Sequence, residues 1–204
     1  MQNFSNDAIS IFTNDVTVDL CGFTIRQTGS SIAAGFRIEN PSGNIPLKNA
    51  TVRNGSIAGF TNVFGIVLLG ARNCVLEQLN VNECGVGISF QALGTAGAVG
   101  NIVRDCRTCD NAGGSGIVFL SGAANVGNVI EHCESLNNGT GFALAGTGNL
   151  IIGCRASGNS INYTIAAGNR MGLIVLPGTN PSQINGSSNT TGTGTTDPFG
   201  NLSY

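Results

Sequence analysis

Tryptophan is absent from these 204 residues, there is one histidine, and charged side chains make up only 10% of the chain. Soluble domains usually carry about a quarter, so a charged, solvated surface is not what keeps this chain in solution. A formal net charge of −2 and a single lysine, Lys48, leave no basic stripe for nucleic acid or for an anionic membrane surface. No apolar run approaches the roughly 18 residues of a membrane span, and residues 1–30 lack the charged and apolar regions of a signal peptide. The seven cysteines are odd in number and only one pair is closely spaced, so a closed disulfide framework is not indicated. Cys106 and Cys109 form one C-x-x-C without a second pair of the same spacing, so neither a metal nor a cofactor is expected. Proline is scarce, at five residues.

Glycine, by contrast, is abundant at 31 residues, with much Asn, Ser and Thr. These residues suit many short strands joined by tight turns, because Gly and Asn accept positive φ. Two patterns alternate along the chain. The first is Gly-apolar-any-apolar, as in Gly35–Ile38, Gly65–Leu68, Gly87–Phe90, Gly116–Phe119 and Gly141–Leu144, with Asn162–Ile165 carrying Asn in the Gly place. Period-two alternation sends both apolar residues to one strand face. The second spans six residues: Val52–Ile57, Leu76–Val81, Val103–Thr108, Ile130–Ser135 and Ile151–Ala156, with Val18–Ile25 as a longer first copy. The step from the second pattern to the next Gly is 11 or 13 residues, whereas the return step is variable, so loops leave one side of each repeat. A unit with two short strands cannot bury its own apolar face and must stack on its neighbours. The expected fold is all-β, a single right-handed parallel β-helix of about six coils over residues 1–176. Residues 177–204 form a Gly/Ser/Thr-rich tail that packs on the last coil or acts as a linker.

Stacking coils about 4.8 Å apart turns equivalent positions into columns. The second position of the six-residue pattern runs Arg53, Glu77, Arg104, Glu131; the fifth runs Ser56, Asn80, Arg107, Glu134, Arg155. Opposite charges alternate, as cross-strand pairing favours. The fourth position runs Gly55, Leu79, Cys106, Cys133, Cys154, and the thiols are expected to be buried and reduced. Asn111, Asn138 and Asn159 recur at one turn and predict an asparagine ladder.

These columns and the strand Val16–Ile25 resemble the right-handed β-helix repeats of the pectate-lyase-like superfamily, including its uncharacterised bacterial repeat proteins, over about residues 8–176. The resemblance implies the fold but no single activity. The motifs of the polysaccharide hydrolases of this fold, Asn-Thr-Asp, Asp-Asp, Gly-His-Gly and Arg-Ile-Lys, do not occur. The nearest thing to a catalytic constellation is Asp105 one coil below His132, with Asp110 farther along; a carboxylate beside an imidazole is the raw material of acid–base work. The competing reading makes both residues rungs of a polar ladder. Phe4, Phe12, Phe60, Phe64 and Phe199 fit neither pattern, Tyr163 aligns with an inward position, and Tyr204 is the expected exposed aromatic.

The leading expectation is a non-catalytic structural or interaction module of a larger secreted or surface-exposed bacterial or phage protein. The alternative is a polysaccharide lyase or hydrolase with its site at Asp105, Asp110 and His132. A polysaccharide or protein is the expected partner. Residues 1–7 are too few for a capping helix, so the first coil is expected to continue into further coils or to associate with a second copy.

Overall fold

The structure is a computed structural model that describes residues 7–29, 33–111, 113–120, 125–175, 184–186, 190–191 and 200–204. Among these residues there is no helix, and hence none able to cross a membrane. The chain winds as a parallel β-helix between two sheets. The first sheet stacks β1 (Ile9–Ile11), β4 (Ala34–Glu39), β6 (Phe64–Leu69), β8 (Val86–Gln91), β11 (Ser115–Phe119), β14 (Thr140–Leu144), β17 (Ile161–Ile165) and β20 (Ile184–Gly186) in that order. The second sheet is bent. Its first leg holds β2 (Thr17–Asp19), the start of β5 (Thr51–Ala58) and of β7 (Val75–Asn82), then β9 (Ile102–Arg104), β12 (Val129–Glu131), β15 (Leu150–Ile152) and β18 (Arg170–Met171). The other leg holds β3 (Thr24–Arg26), the ends of β5 and β7, then β10 (Arg107–Cys109), β13 (Glu134–Leu136) and β16 (Arg155–Ser157).

The Gly-apolar pattern supplies the first sheet. Its inward residues form two continuous stacks, Phe36–Ile66–Ile88–Ile117–Phe142–Tyr163 and Ile38–Leu68–Phe90–Phe119–Leu144–Ile165, each fully buried. Burying each such side chain stabilises by about 1.5–3 kcal/mol. Phe142 and Tyr163 stack at 5.3 Å between ring centroids. The glycine that opens the pattern is required by crowding: a Cβ at Gly116 would come within 2.1 Å of Ser135 Oγ, and one at Gly65 within 2.4 Å of Val81 Cγ1. At the top of this column Asn162 fits because its amide is engaged, accepting from Asn159 Nδ2 and donating to Ser203 Oγ, both at 2.8 Å.

A turn of the helix has three corners, and in the coils between Asn49 and Gly158 a residue with positive φ stands at each. One column is Asp15, Asn49, Asn73, Gly100, Gly127, Gly148, Gly168; the second is Asn54, Gln78, Asp105, His132, Gly153; the third is Gly59, Glu83, Asp110, Asn137, Gly158. Short polar side chains and glycine bear this left-handed conformation best. In most coils the residue after a corner turns inward and forms a buried rung. After the third corner stand Phe60, Cys84, Asn111, Asn138 and Asn159, so Phe60 belongs to this column although it fits neither strand pattern. The asparagines form the expected ladder: Asn111 Nδ2 donates to Asn138 Oδ1 at 2.9 Å and Asn138 Nδ2 to Asn159 Oδ1 at 3.0 Å. A second ladder, Asn101–Asn128–Asn149–Asn169, follows the first corner.

At the C-terminal end, β22 (Asn201–Ser203) runs parallel between β16 and β19 (Ile174–Val175), and β21 (Thr190–Thr191) pairs the far side of β19. Asn201 Oδ1 accepts from Cys154 N at 2.9 Å, and Tyr163 Oη donates to Leu202 O at 2.8 Å. Most of residues 177–204, with Phe199, lies outside the described residues, as do Phe4 and the rest of residues 1–6.

Candidate functional site

The corner between the two legs of the second sheet is where Asp105 and His132 sit. Only two residues separate β9 from β10 and β12 from β13, and the bend is made by the left-handed residue, Asp105 (φ 52°) or His132 (φ 51°), followed by an inward cysteine. The backbone stays paired through the bend: Asp105 N donates to Glu131 O at 3.2 Å and His132 N to Ile152 O at 3.1 Å. The two residues are therefore neighbours in one column, as the alignment of the repeats requires. Both side chains are exposed. Among the described residues no hydrogen bond or ion pair joins them; instead the imidazole of His132 lies over the next coil, where a Cβ on Gly153 would be 2.7 Å from its Cδ2. Asp110 stands at a different corner, beyond the far end of β10, and its Oδ1 accepts from Asn137 Nδ2 at 3.2 Å. The structure thus brings two of the three candidates together and sets the third apart.

Most of the neighbouring charges are engaged in ladders, although among the described residues Glu131 makes no ion pair and the column ends at Arg104. Arg104 Nε donates to Glu77 Oε2 at 2.9 Å, Arg53 contacts Glu77 at 3.8 Å, and Asp19 extends the column by pairing with Arg53 at 3.0 Å. Hydrogen bonding to Glu77, with its charge, pushes the Arg104 guanidinium further up. The Cys21 amide, helped by Arg53 and Asn54, holds the Asp19 carboxyl below its usual value. Along the other leg Glu134 bridges Arg107 at 3.1 Å and Arg155 at 2.9 Å.

Beneath the corner lie Cys106, Cys133 and Cys154, free and buried as the column alignment predicts. Each Sγ points back to the carbonyl two residues earlier, at 3.2–3.3 Å, and Cys154 Sγ accepts from Cys133 N at 3.4 Å. Interaction with the Cys133 thiol, with burial, raises the Cys106 thiol well above its ordinary range; burial does the same to Cys133. Such thiols are poor nucleophiles and poor metal ligands, since both roles need the thiolate. Among the described residues no three His, Cys, Asp or Glu side chains gather where they could hold a metal ion.

Outside this corner is an open groove of about 400 Å³, lined by Asn54, Ser56, Gln78, Asn80, Asp105 and Arg107 over a floor that includes Gly22, Gly55 and Leu79. It reaches Asp105 but neither His132 nor Asp110. The first copy of the six-residue pattern is longer, and this shapes the groove's end: Leu20 turns inward over Gly55, where a Cβ would be 2.4 Å from Leu20 Cβ, and Cys21-Gly22-Phe23 loops outward. Phe23 is 75% exposed, more than Tyr204 at 52%. In the repeat pattern Phe23 falls inside a strand copy, and the two extra residues between Val18 and Ile25 are the signal that sets it apart.

No known family profile and no curated protein matches the chain. Among solved structures it is similar to ORF18 of Geobacillus virus E2, with a TM-score of 0.66 and 11% identity, over 91% of this chain and 40% of that one. The chain thus spans two fifths of that protein's length, and the likeness is one of fold. An alginate lyase from Paenibacillus sp. str. FPU-7 is aligned over 92% of this chain and 97% of that one at 14% identity, but with a TM-score of 0.34 it carries no argument.

Proposed function

We propose that the chain is a non-catalytic structural or interaction module, a parallel β-helix of the pectate-lyase-like type within a larger phage or bacterial surface protein. The observation that carries this reading is the backbone state of the candidate residues. Asp105, His132 and Asp110 all stand at left-handed corners that Asn, Gln, Glu and Gly occupy in the other coils, so their residue types answer to the turn before any chemistry. Charge pairing along the columns accounts for Arg53, Glu77, Arg104, Arg107, Glu134 and Arg155. The likeness to a phage protein more than twice as long is compatible with a part of a larger assembly. The outer edges of β1, β2 and β3 pair with nothing among the described residues, and a further coil or a second copy fits there.

The test is turnover. Pectate, polygalacturonate and bacterial polysaccharides incubated with the chain are expected to release neither reducing ends nor unsaturated products. Release that disappears in Asp105→Asn would establish the enzyme alternative, and release that survives Asp105→Asn and His132→Ala together would place catalysis elsewhere; either result overturns the module reading.

A further inference from the structure

We infer that the gap between β16 and β19 is a strand-accepting site, filled here by the chain's own β22, that takes the same segment from a second copy. The inference goes beyond the module reading and does not depend on it. The six-residue pattern has one further copy, Met171-Gly172-Leu173-Ile174-Val175-Leu176, which repeats Ile151–Ala156 position for position. Its first leg behaves accordingly: β18 pairs directly with β15, and Met171 lies over Ile151. On the other leg the same alignment calls for Ile174 over Cys154 and Val175 over Arg155. There β22 lies between, with Leu202 in register with Arg155 on one side and Val175 on the other. The last coil therefore rises by one strand spacing on one leg and by two on the other, a difference of about 4.8 Å.

The corner between the legs explains the gap. In the preceding coils it is held by Asn54, Gln78, Asp105, His132 or Gly153, each at positive φ, but in the last copy the place falls to Leu173, whose φ is not positive. A branched apolar side chain bears the left-handed conformation poorly, so the tight bend is not made and β19 stands off from β16. The slot has ladder groups on both walls, and β22 meets them: Leu202 N donates to Cys154 O at 2.8 Å, Tyr204 N to Ala156 O at 3.1 Å and Asn201 N to Leu173 O at 2.6 Å. The buried Asn201 side chain spans the gap, accepting from Cys154 N at 2.9 Å and donating to Ile151 O at 3.3 Å and Gly172 O at 3.0 Å. Asn162 Nδ2 donates to the buried Ser203 Oγ at 2.8 Å. An unfilled slot would strand these groups beside buried Ile174 and Val175, so it calls for a strand with Asn first and a small hydroxyl third, which is what Asn201-Leu202-Ser203 supplies. None of these contacts needs β22 to belong to the chain it enters. Residues 192–200, which join it to β21, can span about 30 Å, so two copies can each give β22 to the other in a closed two-fold exchange.

Size-exclusion chromatography with light scattering tests this on the whole chain, after incubation just below its melting temperature at about 1 mM, the effective concentration of a tethered segment. A dimer is expected. A synthetic peptide with the sequence of residues 199–204, Phe-Gly-Asn-Leu-Ser-Tyr, present in excess during the incubation, should suppress that dimer and elute with the monomer. The same peptide carrying Asn201→Ala should compete about tenfold less well or worse, since it gives up the hydrogen bonds that span the gap. A chain that stays monomeric throughout, a dimer that the peptide leaves intact, or equal competition by the two peptides overturns the proposal; the second of these results would move self-association to the open edges of β1, β2 and β3. The turnover assay that tests the module reading is independent of all three.

Discussion

At the corners after Gly127 and Asn137 the buried rungs are asparagines that donate and accept along the stack, whereas at the corner after His132 the rung is a thiol. The backbone explains the choice. At the thiol corner two strands meet across a two-residue bend, and the chain on both sides keeps its ladder bonds, for example Glu134 N to Cys106 O and Arg155 N to Cys133 O at 2.9 Å. The inward N–H of Cys133 remains, and the Cys154 sulfur, a weak acceptor, meets it at 3.4 Å. The asparagine corners open into loops and leave more groups to satisfy. Asn128 Oδ1 accepts from both Asn101 N and Asn101 Nδ2 at 2.9 Å, while its Nδ2 reaches Ala98 O and Asn149 Oδ1 at 2.9 Å. The two chemistries are compatible: Cys74 and Cys84 end the asparagine ladders by donating their N–H to Asn101 and Asn111, and Asn201 continues the thiol column.

The largest effect should come from breaking this contrast directly. Asn128→Ala strands several buried polar groups and is expected to cost about 3 kcal/mol or more, while Cys133→Ala loses a weak bond and little volume, about 1–2 kcal/mol. Chemical denaturation of the pair checks it; equal losses would mean that the thiol rungs carry the same burden as the amides.

Burial pushes the Cys84 thiol up to about 11 from an ordinary 9.0. Its folded form holds the proton more tightly than the unfolded chain does, so this contribution is complete below about pH 9 and is lost as pH rises through about 11, on the order of 2 kcal/mol. Melts between pH 7 and 11 should show that decline, and a thiol reagent at pH 8 should modify exposed Cys21 at once and Cys106, Cys133 and Cys154 only after unfolding. Stability flat to pH 11, or rapid native labelling of the column, would contradict the buried-rung account. A smaller loss is expected outside the bend. Arg104→Glu sets three carboxylates in a row with Glu77 and Glu131 and should cost about 1–2 kcal/mol, less at high salt; an unchanged low-salt melt would show that the column is not a working charge ladder.

The strands and the charge columns were legible because period-two alternation and repeat spacing are local signals that stacking must obey. The Asn111–Asn138–Asn159 ladder was legible for the same reason. Its partner was written as plainly, in Gly100-Asn101, Gly127-Asn128, Gly148-Asn149 and Gly168-Asn169, but went unread because the variable return loops break the register there. The site was harder to read. Asp105 beside His132 follows from alignment, but their left-handed φ does not announce itself when five different side chains, from Asn54 to Gly153, fill the column. One end of the groove is formed at Gly22, in an outward loop that follows from two inserted residues hidden within the first strand copy.

The central claim is that Asp105 and His132 are held as corner residues. Thermal denaturation of two variants tests it: Asp105→Gly/His132→Gly should melt within about 1 kcal/mol of the parent, because glycine tolerates the left-handed bend, and Asp105→Val should lose about 1–2 kcal/mol or more, because a β-branched side chain does not. If the glycine pair is the more damaging change, the corner does not dictate these residues and the account fails.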